Sequence, residues 1–207
     1  DAYRAARVKP LALETERGTV YNLPPPSQGL VSLLITGMIE QQRNKGAIAD
    51  EADFVHHCVE ATKLAFSLRD SHITDPAHMT LDPQSLLTAD SIAQLSAQIV
   101  PDRAEAWGKG RGPADTIWMG VIDASGTAVS FIQSIYHEFG SAVVLADSGI
   151  IWQNRGSSFS LDPNATNPLQ PGRLPFHTLN PGLATLSNGD ALVYGSMGGD
   201  GQPQTQA

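Results

Sequence analysis

An α+β fold is predicted for this chain, because its helical patterns come first and its strand patterns follow. Apolar residues recur at helical spacing in three segments before residue 100. A glycine-rich stretch at 104–115 then separates these segments from short apolar runs that are typical of strands. Helices and strands are therefore expected to be segregated along the chain, with a boundary between a helical part, 1–115, and a strand-rich part, 116–207.

The first part opens with an extended stretch at 9–23 that turns at Gly18. Three prolines at 24–26 then fix an extended approach to the first helix, predicted at about 28–45. Ser27 is a residue type that caps helix N-termini, so we expect it to cap this helix.

Two further helices are predicted at about 51–69 and 88–99 from their apolar periodicity. The side chains of the second helix that we expect to face the core are Phe54, Val55, Cys58, Val59, Leu64, Ala65 and Leu68. In the third helix they are Ile92, Leu95 and Ile99.

Three pairs of strands are predicted after the glycine-rich stretch, each around a short turn. They are 116–123 with 127–134, 143–146 with 149–153, and 178–186 with 190–197. The last pair surrounds Asn188-Gly189, a dipeptide that favours a tight hairpin turn.

The composition indicates a globular protein without a nucleic-acid or membrane partner. The chain has 207 residues, 41% of them hydrophobic, and a formal net charge of -8 with no basic cluster. No apolar run approaches the ~20 residues of a membrane helix. Cys58 is the only cysteine and the histidines lack a zinc-motif spacing, so we expect no disulfide within the chain, no metal and no cofactor.

Thr116 is a candidate nucleophile because it follows the glycine-rich stretch and begins a predicted strand. If the bond after Asp115 were cut, Thr116 would carry a free α-amino group, whose ordinary pKa is about 7.7–8.0. Such an amine can accept the Oγ proton while Oγ attacks an amide carbonyl. By itself this position is far more typical of an ordinary threonine at the start of a strand.

The segment 195–201, GSMGGDG, follows a predicted apolar strand. Its adjacent glycines, Gly198 and Gly199, allow backbone N–H groups to approach a ligand closely, as an oxyanion hole requires. An ordinary glycine turn would have the same sequence. The segment 195–201 lacks the features of a dinucleotide-binding loop or a phosphate-binding loop.

Taken together, several segments in order resemble the γ-glutamyltransferase family. The blocks that carry the resemblance are PPPSQG at 24–29, AFSLRDSHITDP at 65–76, the segment 115–144 beginning DTIWMGVID, GIIWQNRGSSFS at 149–160, PGRLPFHTLNP at 171–181 and GSMGGDGQ at 195–202. Members of this family are N-terminal-nucleophile (Ntn) hydrolases with a four-layered αββα fold. The resemblance therefore implies that fold, of which this chain is expected to hold a partial copy within a longer protein.

The resemblance also implies roles for individual residues. Precursors of the family cleave themselves before a threonine, here between Asp115 and Thr116, so 1–115 would end the large subunit and 116–207 would begin the small one. Ser134 matches the hydroxyl residue that hydrogen-bonds the nucleophile. Gly198 and Gly199 match the oxyanion-hole glycines.

Substrate-binding positions depart from the transferase pattern. Arg155 replaces a glutamine, and Ser158 replaces the aspartate that binds the glutamyl amino group. His177 and Thr178 replace a serine pair that binds the carboxylate, and Tyr136 replaces an asparagine. An arginine in this set suits a carboxylate, so a small anionic amide without an amino group fits better than a γ-glutamyl group.

Three blocks, DTIWMGVID, SIYHEFGS and SMGGDGQPQTQ, resemble the oxamate amidohydrolase branch of the family, which hydrolyses oxamate to oxalate and ammonia. A γ-glutamyltransferase, glutathione hydrolase or acylase of the same family is the alternative. An inactive relative that serves as a binding protein is the alternative from another class. The expected partners are a small anionic amide and the two subunits of one precursor, with a dimer of these left open. A cytoplasmic location is favoured over a periplasmic one.

Overall fold

The computed structural model describes residues 4–108 and 116–207. Its strands are β1 (Leu11–Thr15), β2 (Gly18–Asn22), β3 (Ile117–Ile122), β4 (Ala128–Gln133), β5 (Gly182–Leu186) and β6 (Ala191–Tyr194). Its helices are α1 (Gly29–Asn44), α2 (Glu51–His72), α3 (Ala89–Ser96) and α4 (Gln202–Gln206). One antiparallel sheet has the order β1-β2-β5-β6, and β3 and β4 pair in a second sheet.

Helix α1 lies at the centre of the hydrophobic core. It packs against β1 and β2 on one side and against α2 and α3 on the other. Its buried side chains include Leu30, Leu33, Leu34 and Met38. A helix that is apolar on nearly every face is stable only when it is covered on every face, which explains its position between the sheet and the other helices.

The predicted positions of α1, α2 and α3 are confirmed, with ends that move by a few residues. Asp50 caps α2 by accepting a hydrogen bond from the backbone N–H of Asp53 at 2.9 Å. The prediction that Val55 and Val59 face the core is wrong, since they are 53% and 46% exposed. These two residues are four apart and so lie together on the outer face of the helix.

Ser27 does not cap α1, contrary to the prediction. The N-cap position is occupied by Gln28, and it makes no side-chain capping hydrogen bond. The Ser27 hydroxyl instead donates to the carbonyl of Leu179, and the backbone of Ser27 bridges to His177. The proline-rich approach therefore joins the segment that leads into β5 and does not act as a local cap.

The predicted α+β class is confirmed, but helices and strands are not completely segregated along the chain. Strands β1 and β2 belong to the helical part, and Gly18–Tyr21 of β2 pair with Leu183–Leu186 of β5. One sheet is therefore built from both parts of the chain. The extended stretch at 9–23 was recognisable from the sequence, but its partner strand lies at the other end of the chain.

Of the three predicted strand pairs, two form hairpins. The exception is 143–146 with 149–153, where a single bridge joins Val144 and Ile151. The β3–β4 hairpin contacts β6 and exposes an apolar outer face. Within the part of the chain that the structure describes, no helix combines the length and the apolar character needed to cross a membrane.

Candidate functional site

The register of the β3–β4 hairpin brings two of the predicted site residues together. Ile117 pairs with Gln133, so one further step in the same register places Thr116 opposite Ser134. Side chains of directly opposed residues lie on the same face of the sheet, with Cβ atoms about 5 Å apart. Thr116 is half-buried at the start of β3, and Asp115 lies outside the described residues.

This face of the hairpin is held against the end of β6 by Trp118 and Ser130. The Trp118 indole N–H donates to Ser130 Oγ at 2.9 Å, and Ser130 Oγ donates to the Tyr194 carbonyl at 3.3 Å. The indole also lies so close to Gly195 that any Cβ at that position would clash with it. Because Gly195 begins the glycine segment, Thr116 and this segment belong to the same region of the molecule.

The glycine segment forms a tight turn in which both predicted oxyanion-hole residues have positive φ. Gly198 has φ 106° and Gly199 has φ 54°. The Gly201 N–H donates to the Gly198 carbonyl at 2.9 Å and closes the turn. In residues 4–108 and 116–207, the N–H groups of Gly198 and Gly199 donate to no acceptor. Two adjacent donors are thus available to a developing oxyanion.

Arg155 is buried in the same region, with only 4% of its surface exposed. Its guanidinium donates to Thr178 Oγ1 at 3.0 Å and lies 3.9 Å above the centre of the Tyr136 ring. Burial lowers the pKa of Arg155 to about 10, although Tyr136 and Asp200 oppose the shift. The side chain is therefore cationic at neutral pH. No carboxylate of the described residues lies within 4.0 Å of it.

Arg155 and Ser134 line one cavity of about 430 Å³. His177 lines another side of it, and Pro24, Pro25 and Leu174 supply apolar walls. A buried cation beside apolar walls is poorly solvated, so a small anion that enters the cavity gains a charge-assisted hydrogen bond. The cavity can therefore hold a carboxylate close to Ser134.

The other predicted substrate-binding residues mostly support this arrangement. Thr178 orients Arg155 through its hydroxyl, and the Tyr136 ring stacks on the guanidinium. Ser158 lies on the short 3₁₀ helix that starts at Arg155, and its hydroxyl donates to the Phe176 carbonyl at 3.1 Å.

A metal site would require at least three His, Cys, Asp or Glu side chains that converge. Within the described ranges, no such group is found.

His177 is neutral in this environment. Burial, together with the charge of Arg155, lowers the pKa of His177 to about 4. Its Nδ1 accepts a hydrogen bond from the Leu179 N–H at 3.2 Å, which requires an unprotonated Nδ1. His177 therefore adds no positive charge to the cavity at neutral pH, and Arg155 supplies its cationic character.

This shift predicts a pH-dependent stability. Between about pH 4 and pH 6.5, His177 binds a proton in the unfolded chain but not in the folded chain. The free energy of unfolding therefore rises with pH across this window. The pKa shift of His177 changes the free energy of unfolding by on the order of 3 kcal/mol across this window. We expect His177→Asn, which keeps an acceptor near the Nδ1 position, to flatten the dependence of melting temperature on pH in the full-length protein. The exposed His78→Asn is the control, and an unchanged slope in His177→Asn would contradict the assignment.

Two buried residues of this region escaped the sequence-based reasoning. Gln28 contacts the glycine turn, and Arg69 contacts Gln28. A signal was present for Gln28, because the PPPSQG block resembles a PPPSSGG stretch of γ-glutamyltransferases and has a glutamine where that stretch has a serine. For Arg69 the AFSLRDSHITDP block offered no such departure to follow.

Comparison with known proteins places the chain in a single family. The family model described as Gamma-glutamyltranspeptidase matches residues 1–207. An oxamate amidohydrolase proenzyme from Klebsiella pneumoniae subsp. pneumoniae is 61% identical over 206 residues, which is 100% of this chain and 39% of that protein. A glutathione hydrolase-like YwrD proenzyme from Bacillus subtilis is 40% identical and covers 99% of this chain, again over 39% of its own length.

The solved structures agree with this placement. The crystal structure of a cephalosporin acylase from Bacillus halodurans superimposes with a TM-score of 0.84 at 34% identity, covering 98% of this chain and 37% of the acylase. The predicted Ntn-hydrolase fold is thus confirmed as a partial copy. This chain spans about two fifths of the length of the relatives it matches.

Proposed function

This chain belongs to the gamma-glutamyltranspeptidase family, and on that premise we propose that the whole protein is a self-cleaving amidohydrolase of small anionic amides such as oxamate. The observation that carries the proposal is the buried cationic Arg155 in the cavity that Ser134 also lines. The names of the relatives support it, because one is an oxamate amidohydrolase and several are proenzymes.

The proposed reaction begins with cleavage of the precursor. Thr116 Oγ attacks the carbonyl carbon of Asp115, and its proton passes to the peptide nitrogen, which leaves as the new α-amino group of Thr116. Water then hydrolyses the resulting ester. After cleavage, residues 1–115 form the C-terminal part of one subunit, and 116–207 form the N-terminal part of the other. The relatives' description as proenzymes supports such a precursor.

Turnover uses the amine that cleavage releases. The α-amino group accepts the Thr116 Oγ proton while Oγ attacks the amide carbon, and the carbonyl oxygen becomes an oxyanion bound by the Gly198 and Gly199 N–H groups. Collapse of this intermediate, with return of the proton to the leaving nitrogen, releases ammonia and leaves an oxalyl ester on Oγ. Water, deprotonated by the same amine, cleaves the ester and gives oxalate.

Arg155 gives this site its preference for an anion. Its hydrogen-bonded side-chain acceptor is the neutral Thr178 hydroxyl, and among the described residues no carboxylate lies within 4.0 Å of its guanidinium. A γ-glutamyl substrate carries an ammonium group that pairs best with a carboxylate, whereas Ser158 supplies only a neutral hydroxyl. The balance of charges therefore favours oxamate over glutathione-like amides.

The direct test compares three amides with the full-length protein. Ammonia release from oxamate should exceed release from glutamine, and γ-glutamyl-p-nitroanilide should be a poor substrate. Intact mass should show two chains that meet at Asp115 and Thr116. Preference for γ-glutamyl-p-nitroanilide would favour the transferase alternative, whereas one intact chain without activity would favour an inactive binding protein.

Arg155→Gln should raise KM for oxamate, because a charge-assisted hydrogen bond worth about 1.5–3 kcal/mol is lost. This corresponds to a rise of roughly 10- to 150-fold. Steady-state kinetics of ammonia release measure the effect. The matched control is Arg103→Gln, which removes an exposed arginine that is paired with Glu105. Equal KM values for wild type and Arg155→Gln would exclude Arg155 as the carboxylate partner.

A further inference from the structure

The side chain of Gln28 is fully buried, and its amide bonds to three separate segments. Its Nε2 donates to the Gly199 carbonyl at 2.8 Å and to the Thr178 carbonyl at 3.0 Å. Its Oε1 accepts from Arg69 Nη1 at 3.0 Å. Each polar atom of this amide therefore has a partner, and the partners come from the glycine turn, the cavity wall and α2.

We propose that Gln28, fixed in orientation by Arg69, is a positioning residue that holds the glycine turn in the geometry needed to bind the oxyanion. The proposal rests on the proposed function, because it assigns the catalytic N–H groups to Gly198 and Gly199. Gln28 is not among the described residues that line the cavity, so its proposed role is indirect.

The glycine turn needs a restraint from outside itself. Glycine has more accessible backbone conformations than any other residue, and here two of them are adjacent. The Gly201 N–H fixes the Gly198 carbonyl, and with it the peptide plane that carries the Gly199 N–H. Gln28 fixes the next plane through the Gly199 carbonyl. With both planes held, Gly199 keeps its positive φ and its N–H keeps one direction.

Arg69 determines which way the Gln28 amide points. A guanidinium only donates, so it selects the orientation in which Oε1 faces Arg69 and both Nε2 hydrogens face the two carbonyls. Arg69 is itself held by stacking on Phe66 at 4.1 Å and by an ion pair with Asp70 at 2.8 Å. Its Nη1 also lies 3.4 Å from Asp200, the residue that follows Gly199 in the turn.

The same amide couples the oxyanion turn to the anion-binding cavity. Thr178 offers its carbonyl to Gln28 and its hydroxyl to Arg155. One buried side chain thus sets the spacing between the donors for the oxyanion and the cation for the carboxylate. In a substrate such as oxamate these two groups are on adjacent carbon atoms, so small errors in this spacing affect turnover.

The test is Gln28→Met in the full-length protein, with kcat for oxamate normalised to the cleaved fraction measured by intact mass. We expect kcat to fall about 10- to 100-fold, less than the loss of a complete oxyanion donor. The control is Gln42→Met, since Gln42 is a buried glutamine of α1 that donates to the Ser96 carbonyl at 2.7 Å, away from the glycine turn. Gln42→Met should lower the melting temperature but keep the wild-type kcat.

The outcomes separate this proposal from the proposed function. If the wild type neither cleaves nor releases ammonia, the proposed function fails. If the wild type is active and folded Gln28→Met keeps its kcat, only the role of Gln28 is overturned. Should Gln28→Met not fold, Gln28→Asn takes its place, because it keeps an amide that is too short to reach both carbonyls. Failure of both variants to fold, when Gln42→Met folds, would assign Gln28 to fold stability and reject the proposal.

Discussion

Thr116→Ala is expected to leave the full-length protein as one uncut chain with no measurable release of ammonia from oxamate. The change removes the hydroxyl that attacks Asp115 in the precursor and the substrate in the mature enzyme. Thr116 directly precedes β3, and continuing the register of the hairpin by one residue places it opposite Ser134. Because both steps use one oxygen atom, cleavage and activity should be lost together, and the loss of turnover should reach several orders of magnitude. Intact mass and an ammonia assay measure the two effects.

The control for this variant is Thr116→Ser, which keeps the hydroxyl and removes one methyl group. It should still be cut and should retain activity. A Thr116→Ala protein that is cut and active would show that another residue is the nucleophile. A protein that is cut but inactive would separate the two steps and assign cleavage to another group.

Local patterns predicted the elements of the fold better than their arrangement. The apolar periodicity of α1 and α2 depends on residues three and four apart, so one segment of sequence is enough to recognise each helix. The pairing of β2 with β5 depends on backbone groups at opposite ends of the chain, which no local pattern encodes. The exposed Val55 and Val59 show a related limit, because apolar character by itself does not say which face of a helix is covered.

The same distinction between local patterns and long-range contacts applies to the candidate site. Thr116 and Ser134 are brought together by the register of one hairpin, which the turn between the two strands could predict. The contacts of Arg155 and Gln28 are long-range. Arg155 donates to a residue 23 positions away, and Gln28 reaches residues 41 and 171 positions away. The residue type of Arg155 suggested that it binds a carboxylate. For Gln28, only the fold shows the contact with the glycine turn.

Gly198→Ala is expected to lower kcat for oxamate about 10²–10³-fold, the range for loss of one oxyanion donor. Gly198 has φ 106°, a conformation that residues with a Cβ rarely adopt. A Cβ at Gly198 would meet no atom of residues 4–108 or 116–207 within 4 Å, so crowding by these residues is not the cause of the effect. Relief of the strain would instead rotate the peptide planes on either side, and these planes carry the Gly198 and Gly199 N–H groups.

Gly189→Ala provides a control with nearly the same backbone strain. Gly189 has φ 91° and lies in the turn before β6, whereas Gly198 follows β6. As at Gly198, no atom of the described part of the chain lies within 4 Å of its Cβ position. Both variants should lose about 1–3 kcal/mol of stability, as expected for a residue held in an unfavourable region. Because only Gly198 belongs to the oxyanion turn, Gly189→Ala should keep the wild-type kcat. Equal kcat values for the two variants, measured at a temperature where both are folded, would remove Gly198 from the catalytic machinery and leave the role of Thr116 intact.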